Sequence, residues 1–261
     1  MTLLAVSALL FSGVKIITFE LMSNHVHIIF VGDEDAGKRL FALFRKLLSK
    51  HLLNRYGVLL LVGWDGQTKP VKDLEYFRTA VAYDNRNGYL VQPDHTPFSY
   101  PWGANRFFFN PDVRRRFLEQ AIPCSFRERR MVCHSHIADH LSNLMMVDGY
   151  ASPLCFCAIE EAEGCFRDAH HYFYKIARDV ESHKMISREL GEWVFYTDEE
   201  LYAITYSWCK ERSDCASPTL LPAEAKMEAA KWLRYEYNAG EKQIVRLLKL
   251  EPSLVAALFG R

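Results

Sequence analysis

Residues 14–31 constrain this chain more than any other stretch. Val14-Lys-Ile-Ile-Thr-Phe-Glu-Leu21 and His25-Val-His-Ile-Ile-Phe-Val31 are both rich in β-branched and aromatic residues, and Met22-Ser23-Asn24 between them reads as a tight turn. The two runs therefore pair as a hairpin. His25 and His27 lie two apart on the second strand, so both rings project from one face while Val26 points to the other. Two imidazoles on one face can share a divalent metal, but a His-x-His pair on a strand is more often structural. A third partner has to come from elsewhere in the chain.

Around the hairpin the pattern is α-β-β-α-β-α. Thr2 to Phe11 is a short apolar helix, too short to span a bilayer and without the basic start of a signal peptide. Lys38 to Tyr56 repeats apolar residues at helical spacing and stops at Gly57, Val58 to Trp64 reads as a third, buried strand, and Lys72 to Gly88 as another helix. From Tyr89 to Pro111 the chain is loop-like, and beyond it mostly helical, with a linker at Cys215 to Pro222. Near the C-terminus, Ala229, Leu233 and Tyr237, then Ile244, Leu247 and Leu248, then Val255, Leu258 and Phe259 are spaced like a helix-turn-helix, a geometry shared with plain helical hairpins.

Composition excludes several classes. With 49% hydrophobic and 25% charged residues the chain is globular, not disordered, collagenous or a coiled coil. Seven cysteines without an export signal predict reduced thiols. Because 32 Lys+Arg balance 32 Asp+Glu, any nucleic-acid binding has to be local. The acid-free stretch with Lys38, Arg39, Arg45, Lys46, Lys50 and Arg55 is the strongest local concentration, and Arg114-Arg115-Arg116 and Arg127 with Arg129-Arg130 add to it; a solvated helix face explains each equally well. Tyr89, Phe98, Tyr100, Trp102 and Phe107 to Phe109 could stack on unpaired bases, though core packing is the commoner role for such residues.

The helix ending at Gly88 offers a third partner. At about 100° per residue, Tyr83 and Asn87 fall on the side opposite the stripe of Leu74, Phe77 and Val81, so the wheel turns both away from the core. They sit one turn apart, a hydroxyl beside an amide oxygen.

Leu21-Met-Ser-Asn-His-Val-His-Ile-Ile-Phe30 resembles the Met-Pro-Asn-His-Val-His signature of the HUH single-tyrosine transposases, in their REP-associated tyrosine transposase branch. Ala82-Tyr-Asp-Asn-Arg-Asn-Gly88 resembles that family's second motif, a tyrosine followed four residues later by asparagine, and Tyr100-Pro101-Trp102 matches the Pro-Trp pair that typically follows. The interval from His27 to Tyr83 holds one helix, one strand and half of the next helix, which is the family's order. The resemblance covers roughly residues 1–110.

It implies a ferredoxin-like antiparallel sheet with helices over 1–110 (the HUH catalytic domain); with the helical region of unknown role over 111–215 and the helix-turn-helix-like segment over 216–261 that the sequence pattern predicts, the chain is expected to be α+β. The resemblance implies His25, His27 and Asn87 as ligands of Mg²⁺ or Mn²⁺, and Tyr83 as the nucleophile that cleaves single-stranded or hairpin DNA through a 5′-phosphotyrosine. Lys38, Arg39, Arg45, Lys46, Lys50 and Arg86 are then the expected DNA contacts. No membrane and no small-molecule substrate is expected, monomer and homodimer both stay open, and the expected place is the cytoplasm, at the nucleoid.

Ser23 and Gly88 stand where the family usually has proline, and the chain begins on the helix that should follow a first strand. That strand is expected to lie upstream of Met1 or to be lost by truncation, which would leave strand 58–64 without its neighbour. Two other functions compete: a non-catalytic, transposase-derived DNA-binding protein, and a metal-dependent hydrolase using the His pair without a tyrosine adduct. A second metal cluster at Cys133, His134, His136 and His140 lacks the cysteine pair of a structural zinc site.

Overall fold

The computed structural model of the chain describes residues 1–57, 59, 61–91, 95, 99–178, 183, 186–187, 194–213 and 215–259, with only the backbone described for 89–91, 178 and 213. The chain is α+β and divides into two compact units, Met1–Val180 and Glu181–Arg261.

In the first unit, α1 (Thr2–Leu10) is apolar and buried almost all round, as a helix with no polar face must be. It leads into the hairpin, β1 (Lys15–Leu21) and β2 (Val26–Val31), which pair antiparallel with Glu20 opposite His27 and Leu21 opposite Val26. The Met22 N–H donates to the His25 carbonyl at 3.0 Å and closes the turn. The other edge of β1 is also occupied: Leu21 N–H donates to the Trp102 carbonyl (2.8 Å), Ala104 N–H to Phe19 (3.2 Å) and Ala158 N–H to Ile16 (2.8 Å). Loop residues thus cover the second edge of β1, and β2 pairs with no strand but β1 among the described residues.

α2 (Glu34–Tyr56) starts at Asp33, whose side chain accepts from the Ala36 N–H, and ends at Gly57 in the left-handed region, as the glycine there predicts. Its Gly37 lies on the Phe30 ring with no room for a side chain. Phe30 is three residues from His27, so α2 approaches the face of the sheet opposite the histidine rings.

The third strand expected over 58–64 is not found. Residues 58 and 60 lie outside the described residues, and 59 and 61–64 form no ladder; Leu59 and Val62 are 65% and 81% exposed. An apolar run becomes a buried strand only where a neighbour takes its backbone groups. Trp64 packs onto Phe41 and Phe44.

α3 (Leu74–Val91) crosses the other face of the sheet, between β1 and α7 (Ala169–Arg178). A buried polar chain fixes its rotation: Thr18 Oγ1 donates to Asn85 Oδ1 (2.5 Å), Asn85 Nδ2 to the Tyr172 hydroxyl (2.7 Å), and that hydroxyl to Asn105 Oδ1 (2.6 Å). Three buried hydrogen bonds run through this chain, so slipping or rotating α3 would break several at once.

Residues 111–180 fall in the same compact unit as residues 1–110. This stretch holds α4 (Pro111–Gln120), α5 (Phe126–Cys133), α6 (Ile159–Glu163) and a small antiparallel sheet of β3 (Ile122–Pro123), β4 (Met145–Val147) and β5 (Tyr150–Ala151). Phe156 packs on Phe19 with the rings tilted, Ala151 N–H donates to Thr2 Oγ1 at 3.1 Å, and Lys15 pairs with Glu161. Strands of two or three residues carry no readable period, which is why sequence alone does not foretell this sheet.

The second unit contains α8 (Asp198–Ser213), α9 (Ala223–Tyr237), α10 (Glu241–Leu248) and α11 (Pro252–Phe259). Ala229, Leu233, Ile244, Leu247, Leu248 and Val255 form its core, and Asn238 and Lys249 turn the chain in the left-handed region. The stretch expected to be a linker at 215–222 holds a 3₁₀ turn, Pro218–Leu220, with Pro218 and Leu221 buried. No helix among the described residues is long and apolar enough to cross a membrane, and all seven cysteines are thiols.

Candidate functional site

The two histidines project toward α3. Their rings lie 5.0 Å apart, and the His27 ring stacks on that of Tyr83 with centroids 5.9 Å apart and planes 21° apart. Each Nδ1 meets a neighbouring side-chain oxygen: His25 Nδ1 is 2.7 Å from Asn24 Oδ1, and His27 Nδ1 is 3.3 Å from Asp84 Oδ1. An oxygen at Nδ1 favours the proton there and leaves Nε2 as the nitrogen with the lone pair, which is how ligating histidines are usually held. The donor set of the His pair therefore fits a divalent ion. Among the described residues no group of three or more His, Cys, Asp or Glu side chains could hold a metal.

Tyr83 and Asn87 are where the wheel did not put them. Both are buried, at 2% exposure, together with every residue from Val81 to Gly88. The apolar stripe of Leu74, Phe77 and Val81 describes only the first half of α3; the second half is enclosed by β1 on one side and α7 on another, so even its polar face is interior. Asn87 follows Tyr83 by one helical turn.

Two acidic residues complete the site: Asp84, inside the second motif, and Glu20, outside all three. Asp84 adjoins Tyr83 in the chain and His27 in space. Glu20 stands opposite His27 in the ladder and is wholly buried. Burial, reinforced by the Asp84 charge, pushes the Glu20 carboxyl well above the usual carboxylate range, with the Gly88 backbone N–H pulling the other way. Gly88 and Gly103 flank this carboxyl so closely that a Cβ at either would overlap it, and one at Gly88 would also strike the Tyr100 ring. This accounts for a glycine at 88, where the second motif ordinarily continues with proline. A charged residue inside the otherwise apolar run Ile16 to Leu21 is the sequence signal that singles out Glu20.

Tyr100 and Trp102, from the third motif, lie along β1. The Tyr100 hydroxyl donates to the Leu21 carbonyl at 2.6 Å, and burial with the nearby Glu20 charge pushes its pKa up to about 12. Trp102 meets Tyr150 edge-on, and Phe107, Phe108 and Phe109 pack among Phe117, Phe166 and Tyr172, so these aromatics serve the interior. Phe98 and the side chain of Tyr89 lie outside the described residues.

Of the expected DNA contacts, Lys38, Arg39, Lys46 and Lys50 are exposed and Arg45 is half-buried on α2, within one broad face of the helix. Lys38 is paired with Glu34 at 2.6 Å. Arg86 departs from the expectation: it is 1% exposed and Nη1 donates to the Ile176 carbonyl at 3.4 Å, tying α3 to α7. Its position between Asn85 and Asn87 on the enclosed half of α3 removes it from any surface a strand could follow.

Elsewhere, His136 and Arg130 both bind Asp139, and His134 packs on His51 with ring centroids 5.4 Å apart while Cys133 is buried. In the second unit, α10 and α11 are joined through Lys249 to Glu251. The exposed part of α11 is Pro252, Ser253, Leu254, Ala256 and Ala257, so Ser253 alone brings a side-chain hydrogen-bonding group.

No protein-family model, no curated protein and no solved structure matches this chain.

Proposed function

We propose that the first unit cleaves and rejoins single-stranded DNA, with Tyr83 as nucleophile and His25, His27 and Asn87 as ligands of Mg²⁺ or Mn²⁺, in the manner of a tyrosine transposase with a ferredoxin-like catalytic domain. One observation carries this reading: a tyrosine from α3 is stacked on the second histidine of a His-x-His pair from β2. A divalent ion bound there would polarise the phosphate and stabilise charge that develops on its oxygens.

Tyr83 supplies the covalent step. Its oxygen attacks phosphorus, the bond to the 3′ oxygen breaks, and the strand is left as a 5′-phosphotyrosine and a free 3′-hydroxyl that takes up the proton. Because one phosphodiester replaces another, a second 3′-hydroxyl can reverse the attack without ATP. The exposed cations of α2 would hold the backbone, and the protein would act where its DNA is, in the cytoplasm at the nucleoid. α11, with a single polar side chain on its exposed part, is poorly equipped to read base edges, so contacts to phosphates carry this proposal rather than a helix in the major groove.

The burial of Tyr83 favours a second reading, a non-catalytic DNA-binding protein derived from such an enzyme. The deciding experiment incubates the protein with labelled single-stranded hairpin DNA and Mn²⁺ and resolves the products on a denaturing gel. A protein–DNA adduct that disappears in Tyr83→Phe supports the catalytic reading; binding without any adduct supports the second.

A further inference from the structure

We propose that Asp84 is the positioning residue of His27, holding the proton of that ring on Nδ1 so that Nε2 is the nitrogen offered to a metal ion. The inference deepens the proposed function and rests on its reading of His25 and His27 as a metal pair.

Three features of the structure support it. The Asp84 Oδ1 lies 3.3 Å from His27 Nδ1, and both side chains are withdrawn from solvent, 3% and 12% exposed, so water competes little for the contact. Asp84 is carried on the enclosed half of α3, whose rotation is locked by the Thr18–Asn85–Tyr172–Asn105 chain, so its carboxylate is held by the scaffold and not by a flexible loop. The neighbouring histidine also has an oxygen at Nδ1, in a hydrogen bond with Asn24 Oδ1 at 2.7 Å, where the His27–Asp84 contact is an ion-pair approach. Two adjacent imidazoles each meeting a side-chain oxygen at Nδ1 would point two Nε2 lone pairs toward one ion, whereas a proton left on either Nε2 would block that ligand. Asp84 also fixes the plane of the ring on which Tyr83 stacks, so one carboxylate orients both the ligand and the neighbour of the nucleophile.

The test reads the tautomer directly and needs neither DNA nor metal. The metal-free protein is labelled with ¹⁵N-histidine, its two-bond ¹H–¹⁵N spectrum is recorded above pH 8, and the rings are assigned with His25→Ala and His27→Ala. In the wild type His27 is expected to carry its proton on Nδ1. Asp84→Ala should move that proton largely to Nε2 while His25 is unchanged, and Asp84→Asn, whose amide oxygen still accepts, should keep it on Nδ1. Titration with Mn²⁺ should then show affinity about 10- to 100-fold weaker in Asp84→Ala and largely restored in Asp84→Asn. A wild-type His27 protonated on Nε2, or a tautomer and Mn²⁺ affinity untouched by Asp84→Ala, overturns the inference; if the alanine variant does not fold, the wild-type spectrum still decides. An adduct assay run alongside separates the two claims, since a tautomer governed by Asp84 without any DNA adduct refutes the catalytic reading alone.

Discussion

The ring of His27 is stacked on the ring of Tyr83, and beneath the pair Glu20 faces His27 across the β1–β2 ladder. A strand and a helix far apart in sequence thus present an imidazole, a phenol and two carboxylates at one place. The chemistry this permits is testable residue by residue.

Tyr83→Phe removes one hydroxyl and keeps the stacked ring. Cleavage should fall below detection while retention of hairpin DNA in a gel-shift assay stays within about twofold, and the cost in stability should be about 1 kcal/mol, the worth of one hydrogen bond. Adduct formation by the phenylalanine variant would remove Tyr83 from the reaction.

Glu20 links stability to pH. Its carboxyl stays protonated in the fold above its ordinary value of 4.5, while in the unfolded chain it ionises, so the unfolded state gains as pH rises from about 4.5 toward the raised folded value. Glu20→Gln abolishes that linkage. The variant should therefore gain on the wild type by up to about 1.4 kcal/mol per pH unit across that window. Urea denaturation of both proteins from pH 4.5 to pH 8 measures the difference, and a constant gap would show that Glu20 ionises freely in the folded state.

Gly88 and Gly103 make room for the same carboxyl. Gly88→Ala and Gly103→Ala should each destabilise by about 1–3 kcal/mol through overpacking, and in combination with Glu20→Ala more of the loss should be recovered at Gly103, where all the nearest atoms are those of Glu20, than at Gly88, where the Tyr100 ring is also in the way. Strict additivity in these double mutants would place the conflict elsewhere.

The cations separate into two kinds. Lys46→Ala with Lys50→Ala, on the exposed face of α2, should weaken binding to unrelated single strands uniformly and flatten the salt dependence, by about 0.7 in the log–log slope for each phosphate that is no longer neutralised. Arg86→Met should instead lower the melting temperature, because it breaks the tie to Ile176, without a specific effect on that slope. Fluorescence anisotropy over a range of salt concentrations, with thermal melts of the same samples, distinguishes the two.

Much of this fold is legible in the chain. The hairpin of residues 14–31, the helices α2 and α3 and the three C-terminal helices all have local causes: β-branched runs about a turn, apolar residues at helical spacing, and Asp33 and Gly57 at the ends of α2. So does the placing of His25 and His27 on one face, since side-chain alternation is a property of the strand itself. What sequence could not decide was what covers each face. The run at 58–64 has the composition of a buried strand and finds no ladder among its described residues, and the polar half of α3 has the composition of a surface and is interior. Burial is a relation between elements: a hydroxyl, an amide or a guanidinium lies inside whenever other segments close over it and satisfy it, as Tyr172 and Thr18 do for Asn85. The sequence by itself determined which residues share a strand face or a helix turn. Only the tertiary structure decided that Tyr83, Asp84 and Glu20 meet His27, because that meeting depends on the rotation of α3 against the sheet, which long-range hydrogen bonds and packing set and no local pattern encodes.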